Sequence, residues 1–211
     1  MISGDERGRL AAAADFLGIA LSDAAIRRLL DYRDLIIKWN RVYNLTAVDK
    51  AAEILDRHLV DSLSIASLVQ PGNVLDIGSG AGLPGIPLAI ALPDQRFTLV
   101  DTSAKRTRFM TQSVIDLGLQ NVSVVQTRIE RFQPDTLFTN VASRAFSSLP
   151  DFVAAGARLL AEDGVLIAMK GQLHDAEISP LAADWRLVCR QLDYPGRNGE
   201  RHAVILTRPA S

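Results

Sequence analysis

The spacing of apolar residues changes once along this 211-residue chain, near Pro71-Gly72. Before that point apolar positions recur every three or four residues, the period of a helix with one buried face. Residues 5–17 read as an alanine-rich helix. Ser22 has the chemistry of an N-cap, and Ile26, Leu29, Leu30, Arg33, Ile36 and Ile37 carry a second helix to about Asn40. Residues 40–48 break the pattern, and 51–68 resume it with an interruption near His58.

Beyond Pro71-Gly72, apolar runs of about five residues alternate with helical stretches. The runs predict strands at 73–77, 97–101, 122–127, 137–142 and 164–169. Helices are predicted at 84–91, 105–117 and 149–160, with a single turn at 129–132. Apolar strands separated by helices form a parallel sheet covered on both faces. Two last runs, 185–192 and 202–207, flank the turn-rich Asp193-Tyr194-Pro195-Gly196-Arg197-Asn198-Gly199 and read as an antiparallel pair. Five parallel strands closed by a hairpin is the Rossmann-like sheet of class I S-adenosylmethionine-dependent methyltransferases, whereas an NAD-binding domain usually has six parallel strands. The expected fold class is α/β: a small N-terminal helical extension (residues 1–70), then the sheet domain (71–211).

The first strand ends in chemistry. In Val74-Leu75-Asp76-Ile77-Gly78-Ser79-Gly80-Ala81-Gly82 an apolar run delivers an acid and then three glycines at alternate positions. Thr98-Leu99-Val100-Asp101 is a second apolar run ending in an acid. Glycines let a backbone approach a ligand where a Cβ would clash, and Asp101 stands where a nucleotide ribose needs an acceptor. Gly80-Ala81-Gly82-Leu83-Pro84-Gly85 also fits the dinucleotide fingerprint. A pyrophosphate, however, would meet the negative charge of Asp76. S-adenosylmethionine carries no phosphate but has a sulfonium and an ammonium, both favoured by an acid at the loop.

Ligands of such sheets lie beyond the carboxyl ends of the strands. That makes candidates of Arg128-Ile129-Glu130 after the third strand, Ser143-Arg144-Ala145-Phe146 after the fourth and Lys170-Gly171 after the fifth. Glu130 reads equally well as a solvated loop charge. Absences narrow the acceptor. The Asp/Asn-Pro-Pro-aromatic turn of adenine amine methylation is replaced by Ser143-Arg144-Ala145-Phe146. The cysteine needed for attack at pyrimidine C5 has one candidate, Cys189, which falls in a predicted strand and reads as core. His58 and Asp61 share a helix face and read as a packing or capping pair rather than a metal site.

Composition adds bounds. Hydrophobic residues are 48% and charged residues 22%, ordinary for a globule. No run approaches the roughly 20 apolar residues that span a bilayer, and Met1 to Arg9 lack the apolar core of a signal peptide. One cysteine excludes an internal disulfide and a thiolate zinc cluster. A cytoplasmic monomer without a metal or a membrane is expected. The net charge of −1 gives no global attraction to nucleic acid. Basic residues do cluster locally: Arg27, Arg28, Arg33, Lys38 and Arg41; Lys105, Arg106 and Arg108; Arg197 and Arg201. Each cluster alone is more often a solvated face. Three near one predicted rim give weak support for a phosphate-binding surface.

Several segments together resemble a known family over nearly the whole chain. These are Trp39-Asn40 with Asn44-Leu45-Thr46, His58-Leu59-Val60-Asp61-Ser62-Leu63, and the glycine loop extended through Leu83-Pro84-Gly85-Ile86-Pro87. Lys105-Arg106 with Arg108-Phe109, Ser143-Arg144-Ala145-Phe146, Lys170-Gly171 and Gly199-Glu200-Arg201-His202 complete the set. The chain resembles the bacterial small-subunit rRNA guanine-N7 methyltransferase family RsmG, also called glucose-inhibited division protein B. The resemblance implies methyl transfer from S-adenosylmethionine to N7 of one guanine in 16S rRNA, with the rRNA or the small ribosomal subunit as partner. It also implies that Gly78, Leu83, Ile129, Glu130 and Arg144 line the cofactor. From the residues themselves Asp76, Gly80 and Asp101 join that set. Arg144 and Lys170 are the candidates for a part in chemistry, and Arg27, Arg28, Lys105, Arg106, Arg197 and Arg201 for RNA contact. A small-molecule or protein methyltransferase of the same fold, and a non-catalytic cofactor-sensing ribosome-binding protein, are the competing readings.

Overall fold

A computed structural model describes residues 4–144 and 146–209; Ala145, one member of the Ser143–Phe146 motif, and the ends of the 1–70 and 71–211 segments lie outside the described residues. Helix α1 (Gly4–Phe16) leads into α2 (Asp23–Tyr43). As expected, Ser22 caps α2, accepting from the Ala25 N–H at 3.1 Å. The helix continues past Asn40 and stops at Asn44, whose left-handed φ of 49° turns the chain while its N–H still reaches the Asn40 carbonyl.

The interruption near His58 is not a break. Helix α3 (Ala51–Ile54) widens into a π segment (Leu55–Val60) and tightens again as α4 (Asp61–Leu63), before a 3-10 turn at Ala66–Leu68. Such widenings inside helices often sit at functional sites.

The sheet follows: β1 (Asn73–Ile77), α5 (Gly85–Ala91), β2 (Arg96–Asp101), α6 (Ala104–Asp116), β3 (Val122–Gln126), β4 (Phe138–Ser143), α7 (Leu149–Ala157), β5 (Leu160–Lys170), α8 (Asp175–Ile178), β6 (Arg186–Gln191) and β7 (His202–Thr207). The spatial order is β3-β2-β1-β4-β5-β7-β6. The first five strands are parallel, and β7 inserts antiparallel between β5 and β6. Strand order reverses between β1 and β4, so their carboxyl ends open the ligand crevice.

Two expectations are corrected. Helix α7 ends at Ala157 rather than 160, because Leu160 pairs with Phe138 and begins β5. Cys189 is exposed rather than core. It lies on β6, the edge strand, along which Leu187 alone is half-buried.

One apolar cluster joins the N-terminal helices to the sheet: Leu10, Leu29, Tyr32 and Leu59 pack with Leu88, Phe97, Phe109 and Tyr194. Ring contacts tighten the seam, with Phe109 against Tyr32 at 6.3 Å and Trp39 at 5.6 Å between centroids. The helical extension is therefore packed against α5 and α6, with Tyr32 reaching the loop at Ala81, which is what brings residues before 70 to the crevice.

Candidate active site

The loop after β1 is built by backbone geometry. Gly78, Gly80 and Gly82 all hold positive φ, at 69°, 60° and 84°. A Cβ at Gly78 would meet nothing within 4 Å, so its exposed face is open for a ligand rather than filled by protein. Ser79 Oγ donates to the Asp76 carbonyl at 2.9 Å, and the Tyr32 hydroxyl donates to the Ala81 carbonyl, tying α2 to the loop.

Asp101 holds the loop from the second strand. One carboxylate oxygen accepts from the Gly80 N–H at 2.9 Å and the other from the Ser103 N–H at 2.8 Å. Arg106 stands 3.6 Å away. Each oxygen retains a lone pair, so a ribose can still be accepted there.

Asp76 is fully buried. Its Oδ2 accepts from the Gly85 N–H at 2.9 Å, at the start of α5. A Cβ on Gly85 would sit 2.8 Å from that oxygen, so glycine is required for the approach. Its Oδ1 has no hydrogen-bond partner among the described residues. Burial pushes the carboxyl up to about 7, opposed by the Gly85 N–H. An orphaned buried carboxylate oxygen next to an open glycine loop fits a ligand with a cationic, hydrogen-bonding end, which S-adenosylmethionine has.

A cavity of about 380 Å³ spreads from this loop across the carboxyl edge, lined by Gly78, Asp101, Arg106, Ile129, Glu130 and Phe146. Ile129 is buried and Glu130 exposed, on a 3-10 turn at Ile129–Arg131. Arg158, which the sequence did not single out, anchors that turn by donating to the carbonyls of Ile129 and Phe132. Leu83 is buried behind the loop.

Across the Ser143–Phe146 turn lies a charged cluster that no local spacing announces. Ser143 Oγ donates to the Ile77 carbonyl at 2.9 Å, locking β4 to β1 and aiming the next residue, Arg144, at α4. Asp61 is the hub. Its Oδ1 accepts from Arg201 Nε at 2.7 Å and the Tyr194 hydroxyl at 2.9 Å; its Oδ2 accepts from Arg201 Nη2 at 2.9 Å and Arg144 Nη1 at 3.3 Å. Burial, and then this carboxylate, push the Tyr194 ionisation well above the ordinary phenol range, so it stays a donor.

Beside it, His58 is buried. Its Nε2 lies 2.8 Å from Thr46 Oγ1 and its Nδ1 2.9 Å from the Arg57 carbonyl. Both contacts fit a neutral ring that donates from Nδ1 and accepts at Nε2. Burial, and then the Arg144 cation, push its ionisation down to about 4. The irregular segment that carries Thr46 is itself held by Asn40, whose Oδ1 accepts from the Thr46 N–H at 2.9 Å. Thus Asn40, Thr46, His58, Asp61, Arg144 and Arg201, dispersed along the chain, form one assembly. Asp61 as hub and Tyr194 were not foreseen. The signals were there: Asp61 is an acid inside the apolar run Leu59, Val60 and Leu63, and a buried tyrosine must find a partner for its hydroxyl.

The remaining expected site residues divide. Lys170 pairs with Glu177 of α8 at 3.0 Å, a half-buried ion pair at the rim rather than a free amine. Lys105 and Arg106 begin α6 and are exposed at the carboxyl edge. Arg197 sits in the β6–β7 link, donating to Asp193 and the Gly199 carbonyl. Arg201 is held by Asp61 with both ends of its fork, which leaves it no free fork for a phosphate. Arg28 is corrected outright as part of one rim. It lines a groove with Ala89, Asp94, Arg96 and Asn121, at the amino ends of the strands, and Arg27 precedes it in α2. Helix α2 runs from that edge toward the glycine loop, which its Tyr32 reaches at the Ala81 carbonyl, while Arg33 is buried against Glu6 and Asp34. Among the described residues no group of three or more histidine, cysteine, aspartate or glutamate side chains could hold a metal, and no helix is long and apolar enough to cross a membrane.

Comparison with known proteins agrees with this geometry. The model of the family described as rRNA small subunit methyltransferase G matches residues 25–204. A ribosomal RNA small subunit methyltransferase G of Stutzerimonas stutzeri is 46% identical over 211 residues, covering 99% of this chain and 98% of that protein. One from Pseudomonas aeruginosa is 47% identical, covering 95% of each. Among solved structures, the N-methyltransferase NodS from Bradyrhizobium japonicum with S-adenosyl-L-homocysteine superposes with a TM-score of 0.58 at 17% identity, over 83% of this chain and 99% of that one. A predicted O-methyltransferase from Agrobacterium tumefaciens gives 0.60 at 20% identity, over 71% and 81%.

Proposed function

Because the chain belongs to the rRNA small subunit methyltransferase G family, we propose that its carboxyl-edge cavity presents a methyl donor to N7 of a guanine in 16S rRNA. The activity is that of an S-adenosylmethionine-dependent 16S rRNA (guanine-N7)-methyltransferase. When bound, S-adenosylmethionine supplies an electrophilic methyl group on a sulfonium. The observation that carries the donor assignment is Asp76 Oδ1, buried and unpartnered beside a loop whose glycines leave open space.

The residues then divide the work. Gly78 and Gly80 let backbone approach the donor, Asp101 accepts ribose hydroxyls with the lone pairs its loop contacts leave, and Ile129 with Glu130 borders the adenine. Asp76 faces the cationic end. Leu83 and Phe146 exclude water. Guanine N7 carries an in-plane lone pair and no proton, so no residue has to act as a base. Alignment and dehydration supply the acceleration. An arginine forked onto O6 and N7 would occupy the lone pair that attacks. Asp61 and the Arg57 carbonyl, at 3.3 and 3.2 Å, draw Arg144 Nη1 back, so that arm of the guanidinium is kept from N7. Arg144 is thereby a positioned cation beside the Asp61 cluster. Lys170, held by Glu177, shapes the rim.

Mapping 7-methylguanine in 16S rRNA after incubation with protein and donor should show one new site. Methyl label on protein or small molecules but none on rRNA would refute the reading.

The RNA face is proposed on Lys105, Arg106 and Arg197, at the carboxyl edge. We place the protein in the cytoplasm as a monomer, in reach of the small subunit. Replacing these three by glutamine should reduce the salt dependence of RNA binding by roughly 0.7 per lost contact in log–log slope. The pair Arg27→Gln and Arg28→Gln, at the opposite edge, should leave the slope as it is. Equal effects from both variants would mean the RNA wraps the sheet edge as well.

A further inference from the structure

Adenine carries the same N7 nucleophile as guanine. N7 chemistry alone cannot tell the two purines apart, so some group must read the other edge of the base. A second cavity, of about 280 Å³, has Arg57, Asp61, Arg144, Asn198, Glu200 and Arg201 in its wall. It contains two carboxylates of opposite status. Asp61 is saturated by Arg144, Arg201 and Tyr194. Glu200 has no hydrogen bond and no ion pair among the described residues, although three arginines, Arg57, Arg144 and Arg201, share its cavity wall. Arg144 uses Nη1 for all its contacts, which leaves Nε and Nη2 without hydrogen bonds among the described residues.

We propose that Glu200 selects guanine, its carboxylate accepting the N1–H and a 2-amino N–H of the base while Arg144 donates to O6. The proposal rests on the guanine-N7 reading above. It orders the base consistently: O6 lies between N1 and N7, and Arg144, in this wall, directly follows Ser143, which is bonded to Ile77 of the donor cavity. Adenine would present a lone pair at N1 to Glu200 and an amino group at C6 to Arg144, so both contacts would become repulsive. Recognition of a splayed-out base at its Watson–Crick edge is the usual route for single-stranded RNA. A carboxylate bridging two donors is charge-assisted at both. Gly196 and Gly199, with φ of 82° and 81°, turn the β6–β7 link so that Glu200 follows it into this wall. Asp56 stands so close that a Cβ on Gly196 would be 2.6 Å from it, which pins the link to the π segment.

The test uses the full-length protein and small subunits assembled on 16S rRNA that carries guanosine or inosine at the methylated position; inosine lacks the 2-amino group. The wild type should prefer guanosine over inosine by roughly tenfold to a hundredfold in kcat/KM, the range for one lost charge-assisted contact. E200Q and E200A should lose a similar factor on guanosine and abolish the preference, while affinity for S-adenosylmethionine, read by calorimetry, stays at the wild-type value. Unchanged discrimination in both variants would overturn the proposal. A wild-type protein that places no methyl on N7 of guanosine would overturn the reading beneath it, and the proposal with it.

Discussion

Replacing Asp61 by alanine should cost about 3–5 kcal/mol of stability, because it leaves Arg144 and Arg201 as buried cations without a counter-charge. Their side chains are 19% and 18% exposed, and that of Asp61 is 4% exposed. The Tyr194 hydroxyl loses its acceptor in the same change. Methyl transfer should fall further than stability alone explains, since Arg144 Nη1 is no longer drawn away from the incoming base. Asp61→Asn retains the volume and one acceptor and should lie between. Urea unfolding measures the first effect, and single-turnover methylation of small subunits at saturating protein measures the second. A loss below about 1 kcal/mol in the alanine variant would show a solvated cluster of surface pairs instead.

The second large effect is a pH-dependent gain. Asp76 is raised to about 7 by burial, against an ordinary value of 3.8. A carboxyl raised on folding stabilises the native state while it is protonated. That contribution is complete below the unfolded value, near pH 4, and is lost as pH climbs toward 7. Three pH units correspond to on the order of 4 kcal/mol. Asp76→Asn cannot ionise and should keep that stability, so at pH 8 it should unfold at higher urea than the wild type, with the two converging near pH 4. Donor binding should move the other way. Wild-type affinity for S-adenosylmethionine should rise with pH through about 7 and then level off, as the carboxylate that faces the cationic end becomes charged. The asparagine variant should bind more weakly and without that rise. Identical pH profiles for the two proteins, in both stability and binding, would remove Asp76 from the donor site. A more stable variant that functions less well is what a strained, unpartnered carboxylate should yield.

Much of the fold was legible in order and kind. The shift from helical spacing to short apolar runs at Pro71-Gly72, the acids closing β1 and β2, and the turn-rich 193–199 link follow from local physics: periodicity, glycine freedom and turn chemistry. The motif resemblance named the family, and the comparisons bear it out. The boundary at Leu160 was missed because an apolar helix end and an apolar strand start look alike until a partner strand, here at Phe138, claims one of them. Cys189 was misplaced for a related reason: a small apolar residue in a strand is buried only if something covers its face, and β6 is the edge.

The sequence by itself determined which residues have special chemistry: the glycine loop, Asp76, Asp101, Arg144, and the scattered Thr46, His58, Asp61 and Glu200-Arg201. Only the tertiary structure decided their roles. It paired Asp61 with Arg144 and Arg201, 83 and 140 positions away, and so made one arginine a structural counter-ion and left the other with free donors. It put Arg28 at the wrong edge for the crevice and left Glu200 without a partner. Residue type and spacing set what a side chain can do. Its ionisation and its available hydrogen bonds depend on long-range neighbours, because charge interactions and dehydration act through space and are fixed only when the helical extension closes over the sheet.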